Sequence, residues 1–167
     1  KHDAPDAVTL EDYRRRYALY KTDADLQAAH AAAPWAVTWD DHEVANDYAA
    51  DQPEEDVPLE EWVARRLVAY KAYYEHMPLR DRMRPTADGM RIYAQMGWGD
   101  LARFFILDGR QYRTPQACPR PGSKGGSNTV DIAACPQLFS PERTMLGRRQ
   151  EAWLQTALEL TPARWNV

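Results

Sequence analysis

The chain has 167 residues, of which 21 are Lys or Arg and 25 are Asp or Glu, giving a formal net charge of -4. The basic excess typical of nucleic-acid-binding modules is therefore absent from this sequence. Hydrophobic residues make up 44% of the chain and charged residues 28%, which is typical of globular proteins and argues against a disordered tail. Uncharged apolar runs such as 104–107 are far shorter than the roughly 20 residues that span a bilayer, so no transmembrane helix is expected.

Helix signals dominate the first 40 residues. Thr9 and Asp12 have the spacing of a helix start, and tyrosines at helical intervals follow them. Thr22 and Asp25 repeat this start signal, and a proline ends the second predicted helix. Residues 35–39 then alternate in the manner of a short buried strand.

The central and last parts of the chain predict a longer helix, two strands and a final helix. Pro58 is placed at a first helical position, and an apolar stripe follows it: Leu59, Trp62, Val63, Leu67, Tyr70, Tyr73 and Tyr74. We expect strands around 91–97 and 102–108, and a helix over 146–160. This is a helix-rich α/β pattern with fewer strands than the five or six of a usual sheet, so further strands are expected from outside this chain.

Two cysteines, Cys118 and Cys135, flank a stretch rich in Gly and Pro at residues 119–128. The sequence holds no Cys-x-x-Cys pair, so a zinc site built from cysteines is not indicated. A disulfide that closes this loop is the simplest interpretation, and it would contribute about 3 kcal/mol. Such a bond would imply an oxidising compartment. Two unrelated thiols are the alternative.

The densest chemical feature is the run Trp39-Asp40-Asp41-His42-Glu43, which follows a predicted strand. Ligand and metal sites of α/β sheets lie at the carboxyl ends of strands, and Asp oxygens and His nitrogens are common metal ligands. The alternative is a solvated acidic turn. A zinc-protease motif, His-Glu-x-x-His, is excluded because position 46 is Asn.

Four stretches of this sequence, residues 37–48, 70–80, 98–113 and 143–154, resemble the PhoD-type alkaline phosphatases in the same order. That family is a branch of the calcineurin-like metallophosphoesterases. The resemblance implies an α/β fold that is part of a four-layer αββα sandwich. It also implies that residues 1–167 are the central segment of a single metallophosphatase domain, with flanking strands and metal ligands outside this chain.

The resemblance also assigns roles to the acidic turn. The run Asp40-Asp41-His42-Glu43 replaces the superfamily's Gly-Asn-His-Glu, so Asp41 takes the position of a metal ligand. His42 takes the position of the catalytic residue that acts on the phosphoryl group or the leaving oxygen. Asp40 and Asn46 are further candidates for metal binding, and Glu43 is an auxiliary candidate.

Two other places could contribute to such a site. His76 and Arg80 follow the long predicted helix and are candidates for substrate binding, because Arg is a natural bidentate partner of phosphate. A structural ion pair of Arg80 is the alternative. Asp108 and Arg110 lie at the end of a predicted strand and could reach the site, but a structural Asp–Arg pairing is the favoured interpretation.

The resemblance implies an enzyme that hydrolyses phosphate monoesters or diesters with a metal-activated hydroxide, although this chain alone would lack a complete active site. Ferric iron and calcium are the implied cofactors, and other divalent metals are possible. The implied partners are a phosphate ester substrate and the remaining N- and C-terminal segments of the enzyme. Export by a twin-arginine route would place it outside the cell or in the periplasm or cell envelope. A phospholipase-D-like phosphodiesterase and a non-catalytic helical interaction module are the alternatives.

Overall fold

The structure, a computed structural model, describes residues 5–122, 124 and 129–167. Four α-helices and three strands occur within them: α1 (Leu10–Lys21), α2 (Ala24–Ala32), α3 (Leu59–His76), β1 (Ala94–Trp98), β2 (Ala102–Ile106), α4 (Arg148–Leu160) and β3 (Trp165–Asn166). No helix in the described part of the chain combines the length and the hydrophobicity needed to cross a membrane. The content of helices and strands agrees with the predicted α/β class.

The chain divides into two compact units. The first comprises α1, α2, α3 and the segments around them, taken from residues 1–37, 43–45 and 57–91. The second comprises the three strands and α4, taken from residues 38–42, 46–56 and 92–167.

The start of α1 is fixed by the predicted capping box. The backbone N–H of Asp12 donates to the Thr9 hydroxyl at 3.3 Å, and the backbone N–H of Thr9 donates to the Asp12 carboxylate at 2.9 Å. Hydrogen bonds from the Thr9 side chain and backbone hold the pKa of Asp12 well below its usual range. The reciprocal pair satisfies N–H groups that a helix end leaves without partners.

The second helix starts one residue later than its sequence signal indicated. Asp23, rather than Thr22, caps α2 and accepts a hydrogen bond from the backbone N–H of Leu26 at 2.8 Å. Thr22 instead closes α1, because its hydroxyl donates to the carbonyl oxygen of Leu19 at 2.6 Å.

Helix α3 provides much of the apolar core of the first unit. Its buried residues are Trp62, Arg66, Ala69, Tyr70, Ala72 and Tyr73. Leu59, expected at the head of the apolar stripe, is exposed, and Pro58 is the residue before the helix rather than its first residue. On the surface of this unit, both oxygens of Glu75 accept hydrogen bonds from the Arg14 guanidinium at 2.7 Å.

The strand predicted over residues 35–39 is absent, because this segment has no backbone ladder. Its side chains make the hydrogen bonds instead. The Thr38 hydroxyl donates to the carbonyl oxygen of Leu107 at 2.8 Å, and the Trp39 indole donates to the Asp108 carboxylate at 3.0 Å. The alternating pattern at 35–39 therefore belongs to an irregular segment, which side-chain hydrogen bonds hold in place.

The two later strands form as predicted and gain a third. β1 and β2 pair antiparallel with Ala94 opposite Ile106, and β2 and β3 pair parallel with Ala102 opposite Trp165. The order in the sheet is β1-β2-β3. The rings of Phe105 on β2 and Trp153 on α4 meet edge to face, with centroids 6.2 Å apart, so α4 packs against one face of this sheet.

The second unit also holds the predicted disulfide. Cys118 and Cys135 are bonded, with Cα atoms 6.1 Å apart, which confirms the pairing. Of the Gly/Pro-rich loop predicted at 119–128, residues 123 and 125–128 lie outside the described part of the chain.

Gly147, just before α4, has φ of 75°, and a Cβ there would lie 2.6 Å from the Cβ of Tyr112. Only glycine suits this backbone.

Candidate active site

Asp40, Asp41 and Asp47 are the carboxylates of a tight turn, the acidic turn, and Asp41 is its buried centre. All three belong to the second unit. One oxygen of Asp41 accepts the backbone N–H of Asp47 at 2.7 Å. Asp47 itself has φ of 51°, a left-handed conformation that reverses the chain direction. The carboxylate of Asp41 therefore closes the turn from inside, which fixes the orientation of that carboxylate.

Arg110 clamps this turn from the loop after β2. Its guanidinium lies 2.5 Å from the Asp40 carboxylate, 3.2 Å from that of Asp41 and 3.8 Å from that of Asp47. Its backbone carbonyl accepts the N–H of Ala50 at 3.0 Å. One residue thus holds both ends of the acidic turn, through its side chain and its backbone.

Asp108 fixes the loop that carries Arg110. Its fully buried carboxylate accepts the Trp39 indole N–H, the backbone N–H groups of Arg110 and Gln111, and the Gln111 side-chain amide, all within 3.0 Å. A buried carboxylate with four donors is well compensated for the loss of water. The favoured interpretation, a structural pairing of the Asp108 and Arg110 side chains, was wrong: Asp108 accepts the backbone N–H of Arg110, and the guanidinium reaches the acidic turn.

Gln150, from the first turn of α4, completes this network. Its amide oxygen accepts the backbone N–H of Asp108 at 2.9 Å, and its amide nitrogen donates to the carbonyl oxygen of Asp108 at 2.8 Å. The same nitrogen donates to the carbonyl oxygen of Leu146 at 2.8 Å. The sheet, the acidic turn and α4 are therefore joined by polar contacts around one buried aspartate.

The electrostatics of the turn keep Asp41 ionised. Burial acts to raise the pKa of Asp41, but the hydrogen bond from the Asp47 N–H and the charge of Arg110 outweigh it, so the pKa lies below its ordinary value. An ionised carboxylate is the form that binds a cation.

His42 follows Asp41 and points to solvent. Its side chain is exposed, and its Nε2 atom lies 3.7 Å from the Asp41 carboxylate. An accessible imidazole beside a fixed carboxylate can donate a hydrogen bond or a proton to an incoming anion.

The other residues proposed from the sequence have different surroundings. Asp40 is exposed and pairs with Arg110. Asn46 uses its side-chain amide N–H to donate to Glu54 at 2.6 Å. Glu43 is assigned to the first unit, whereas Asp41 and His42 belong to the second.

His76 and Arg80, the two candidates for substrate binding, both belong to the first unit. The ring of His76 stacks on Tyr17 with centroids 5.0 Å apart, and its Nδ1 atom lies 2.7 Å from the carbonyl oxygen of Ala72. Arg80 is exposed and precedes a short 3-10 turn at Asp81–Met83.

No group of three or more His, Cys, Asp or Glu side chains within residues 5–122, 124 and 129–167 is placed to hold a metal ion. In the acidic turn the carboxylates of Asp40, Asp41 and Asp47 face the guanidinium of Arg110 instead. The described residues therefore do not make a metal site by themselves, and Asp41 fits at most one position in such a site.

Sequence reasoning missed Asp47 and Gln150. Nothing in the sequence marks Asp47, because it acts through its backbone N–H and its left-handed conformation. Gln150 had no local signal, since it is one of four consecutive polar residues at 148–151. Its burial, at 1% exposure, comes from packing that no local pattern predicts.

Comparisons with known proteins agree with the family resemblance. The family model described as PhoD-like phosphatase matches residues 1–167. Alkaline phosphatase D of Bacillus subtilis (strain 168) is 48% identical over 166 residues, which are 99% of this chain and 27% of that protein. A solved structure described as "Structure of PhoD" matches with a TM-score of 0.85 and 45% identity, over 99% of this chain and 30% of that one. The chain thus spans less than a third of the length of these relatives. It belongs to the PhoD-like phosphatase family.

Proposed function

We propose that the protein carrying this chain hydrolyses phosphate esters, and that the turn from Asp40 to His42 lies in its active site. The observation that supports this is the fixed carboxylate of Asp41 beside the accessible imidazole of His42, in a chain that matches a phosphatase family over its whole length. The relative from Bacillus subtilis carries the name alkaline phosphatase D.

Metal dependence is the second part of the proposal. Asp41 is buried, ionised and rigidly held, which suits one ligand of a metal site. Asp40 and Asn46 would have to leave Arg110 and Glu54 to join it. Because the described residues lack a complete set, the other ligands would come from the rest of the protein. Ferric iron and calcium are the proposed metals, and they would supply charge stabilisation and an activated hydroxide.

His42 is the proposed catalytic residue. Its imidazole is exposed, so a phosphate oxygen can approach it without displacing a protein group. The Asp41 carboxylate lies 3.7 Å from its Nε2 atom. A protonated imidazole can donate a hydrogen bond to the charge that develops on the phosphoryl group, or a proton to the leaving oxygen.

The remaining proposals concern the setting of this site. His76 and Arg80 stay candidates for contacts with the substrate, and the exposed Arg80 is the better placed for an anion. The 167 residues form the central segment of a single metallophosphatase domain, which the flanking segments complete. An exported protein, in the cell envelope or outside the cell, suits the Cys118–Cys135 disulfide.

The experiment measures metal content and turnover of the whole protein with a phosphate monoester and a phosphodiester. Asp41→Ala should lower both metal content and turnover, because it removes an anionic ligand. His42→Ala should keep the metal and lower turnover by about 10²–10⁴-fold. Asp25→Ala, an exposed position on α2, is the matched control and should change neither quantity.

Two outcomes would count against parts of this proposal. Equal loss of metal in Asp41→Ala and His42→Ala would make His42 a ligand rather than an acid. Unchanged turnover in both variants would remove the acidic turn from the active site. Faster turnover of the diester than of the monoester would agree with the proposed hydrolase and identify a diester as its preferred substrate.

A further inference from the structure

One face of the three-stranded sheet is wholly apolar. The register places Met96 opposite Phe104, and it places Trp98 opposite Ala102, which in turn pairs with Trp165. Opposed residues lie on the same side of a sheet, and so do alternate residues of each strand. Val167 continues this register, because its N–H donates to the carbonyl oxygen of Arg103 and its carbonyl accepts the N–H of Phe105. We call Met96, Trp98, Phe104, Trp165 and Val167 the open face.

The opposite side of the sheet has a different environment. It carries Gln95, Arg103 and Phe105, and α4 packs against it. Gln95 and Arg103 line a cavity of about 510 Å³ together with Trp153 and other residues of α4 and the segment after it. The helix therefore lies on the side with the polar residues, where Gln95 and Asn166 are still exposed, and the large apolar residues of the other side are exposed to water.

The exposure of the open face is large for a globular protein. Trp98 is 69% exposed, Trp165 62% and Val167 66%, and Met96 and Phe104 are also exposed. Since an aromatic side chain buries roughly 150–250 Å² in a core, the two tryptophans alone present on the order of 200–300 Å². The other three residues extend this into a patch at or above the roughly 300–600 Å² that is the largest on a typical monomer.

We propose that the open face is the packing surface for another segment of the same polypeptide, one that lies outside these 167 residues and contributes aliphatic and aromatic side chains. This rests on the proposal that the chain is the central segment of a longer protein. The relatives support that occupant, since this chain covers only 27% and 30% of their lengths. The side chains of these five residues carry no charge, which is typical of a permanently buried core rather than of a transient protein–protein interface.

The test is hydroxyl-radical footprinting of the whole wild-type protein, read residue by residue by mass spectrometry. Trp98 and Trp165 should be oxidised as slowly as Trp62, which is fully buried in the first unit. In urea-unfolded protein all three should react at one common rate. If Trp98 and Trp165 in the native protein react as fast as in the unfolded protein, the face is open to water and the proposal is wrong.

A matched pair of variants gives a second readout. Trp98→Phe keeps an apolar side chain and should leave the urea unfolding midpoint close to that of the wild type. Trp98→Glu should lower the ratio of folded to unfolded protein by roughly tenfold or more, because it places an unpaired carboxylate in an apolar layer. Equal midpoints for the two variants would show a solvent-exposed position. Should Trp98→Glu fail to fold, the wild-type footprint still decides the matter.

Two controls distinguish this proposal from dimer formation and from the proposed hydrolase activity. Footprints at several protein concentrations, with the mass in solution measured by light scattering, test for a second copy of the protein. Protection that disappears on dilution together with a dimer would assign the face to that second copy and overturn the proposal. Turnover does not enter the footprint, so an inactive protein with protected tryptophans would count against the proposed hydrolase alone.

Discussion

Replacing Arg110 with methionine tests whether its guanidinium holds the acidic turn together. Methionine keeps most of the apolar stem and removes the charge that Asp40, Asp41 and Asp47 share. The decisive contact is the one with Asp41, because the side chains of Arg110 and Asp41 are only 15% and 7% exposed. Loss of Arg110 therefore leaves a buried carboxylate with one fewer compensating charge.

The expected cost follows from the separate contacts. Removing one partner of a buried polar pair costs about 1–3 kcal/mol, and more where the group left behind is charged, as Asp41 is in its ion pair with Arg110. The contact with Asp40 adds at most about 1 kcal/mol, because the Asp40 side chain is 74% exposed and its charge is screened by water. The free energy of unfolding should therefore fall by about 2–4 kcal/mol in Arg110→Met.

Urea denaturation of the single and double variants measures this and identifies its cause. Asn at position 41 can still accept the Asp47 N–H but carries no charge, so Arg110→Met should cost less in an Asp41→Asn background than in the wild type. The double-mutant cycle should give a coupling free energy of about 1 kcal/mol or more. If the cost of Arg110→Met is the same in both backgrounds, the guanidinium does not act through the charge of Asp41 and the reasoning fails.

Three further predictions concern stability elsewhere in the chain. Gly147→Ala should lower the free energy of unfolding by about 2 kcal/mol or more, because its backbone is left-handed and the new Cβ would clash with Tyr112. Gly109→Ala is the control in the same urea titration and should have little effect, because its Cβ would meet open space. Reducing the disulfide should lower the free energy of unfolding by about 3 kcal/mol, measured from the unfolding midpoints with and without a thiol reductant. An unchanged midpoint would show that the disulfide does not stabilise the folded protein. The hydrogen bonds from Arg14 lower the pKa of Glu75 below its ordinary value of 4.5. The pair's stabilisation is therefore complete above that value and is lost as the pH falls through the folded pKa. As the pH falls below 4.5, the free energy of unfolding of Arg14→Gln should decrease less than that of the wild type, by a difference under about 1 kcal/mol. Parallel pH profiles of the two proteins would contradict this.

The helices of the first unit could be predicted because their signals are local. The capping box of Thr9 and Asp12 needs only residues three apart, and it forms as the sequence indicated. The apolar stripe of α3 was also visible, but it did not show that Arg66 would be buried. The guanidinium of Arg66 lies 5.8 Å from the ring centre of Tyr70, a contact that a count of apolar residues does not register.

The failures came from contacts distant in sequence. Five alternating residues at 35–39 resemble a strand, but Asp108 and Leu107 bind two of their side chains from about 69 positions away. β3 has only two residues, which is too few to show a periodicity, and it forms because its backbone pairs with β2. At the site, the sequence marked Asp41 and His42 by residue type, while the geometry depends on Arg110.

The contacts of Gln150 have a consequence for amide hydrogen exchange. The N–H of Asp108 lies in a loop after β2, yet its acceptor is the side chain of Gln150 on α4 rather than a backbone carbonyl. Its protection from exchange therefore depends on the integrity of a helix 42 residues further along the chain. Local opening of the N-terminal turn of α4 should release this amide together with those of α4 itself. The Asp108 amide would thus report when the helix separates from the loop that holds Arg110 against the acidic turn.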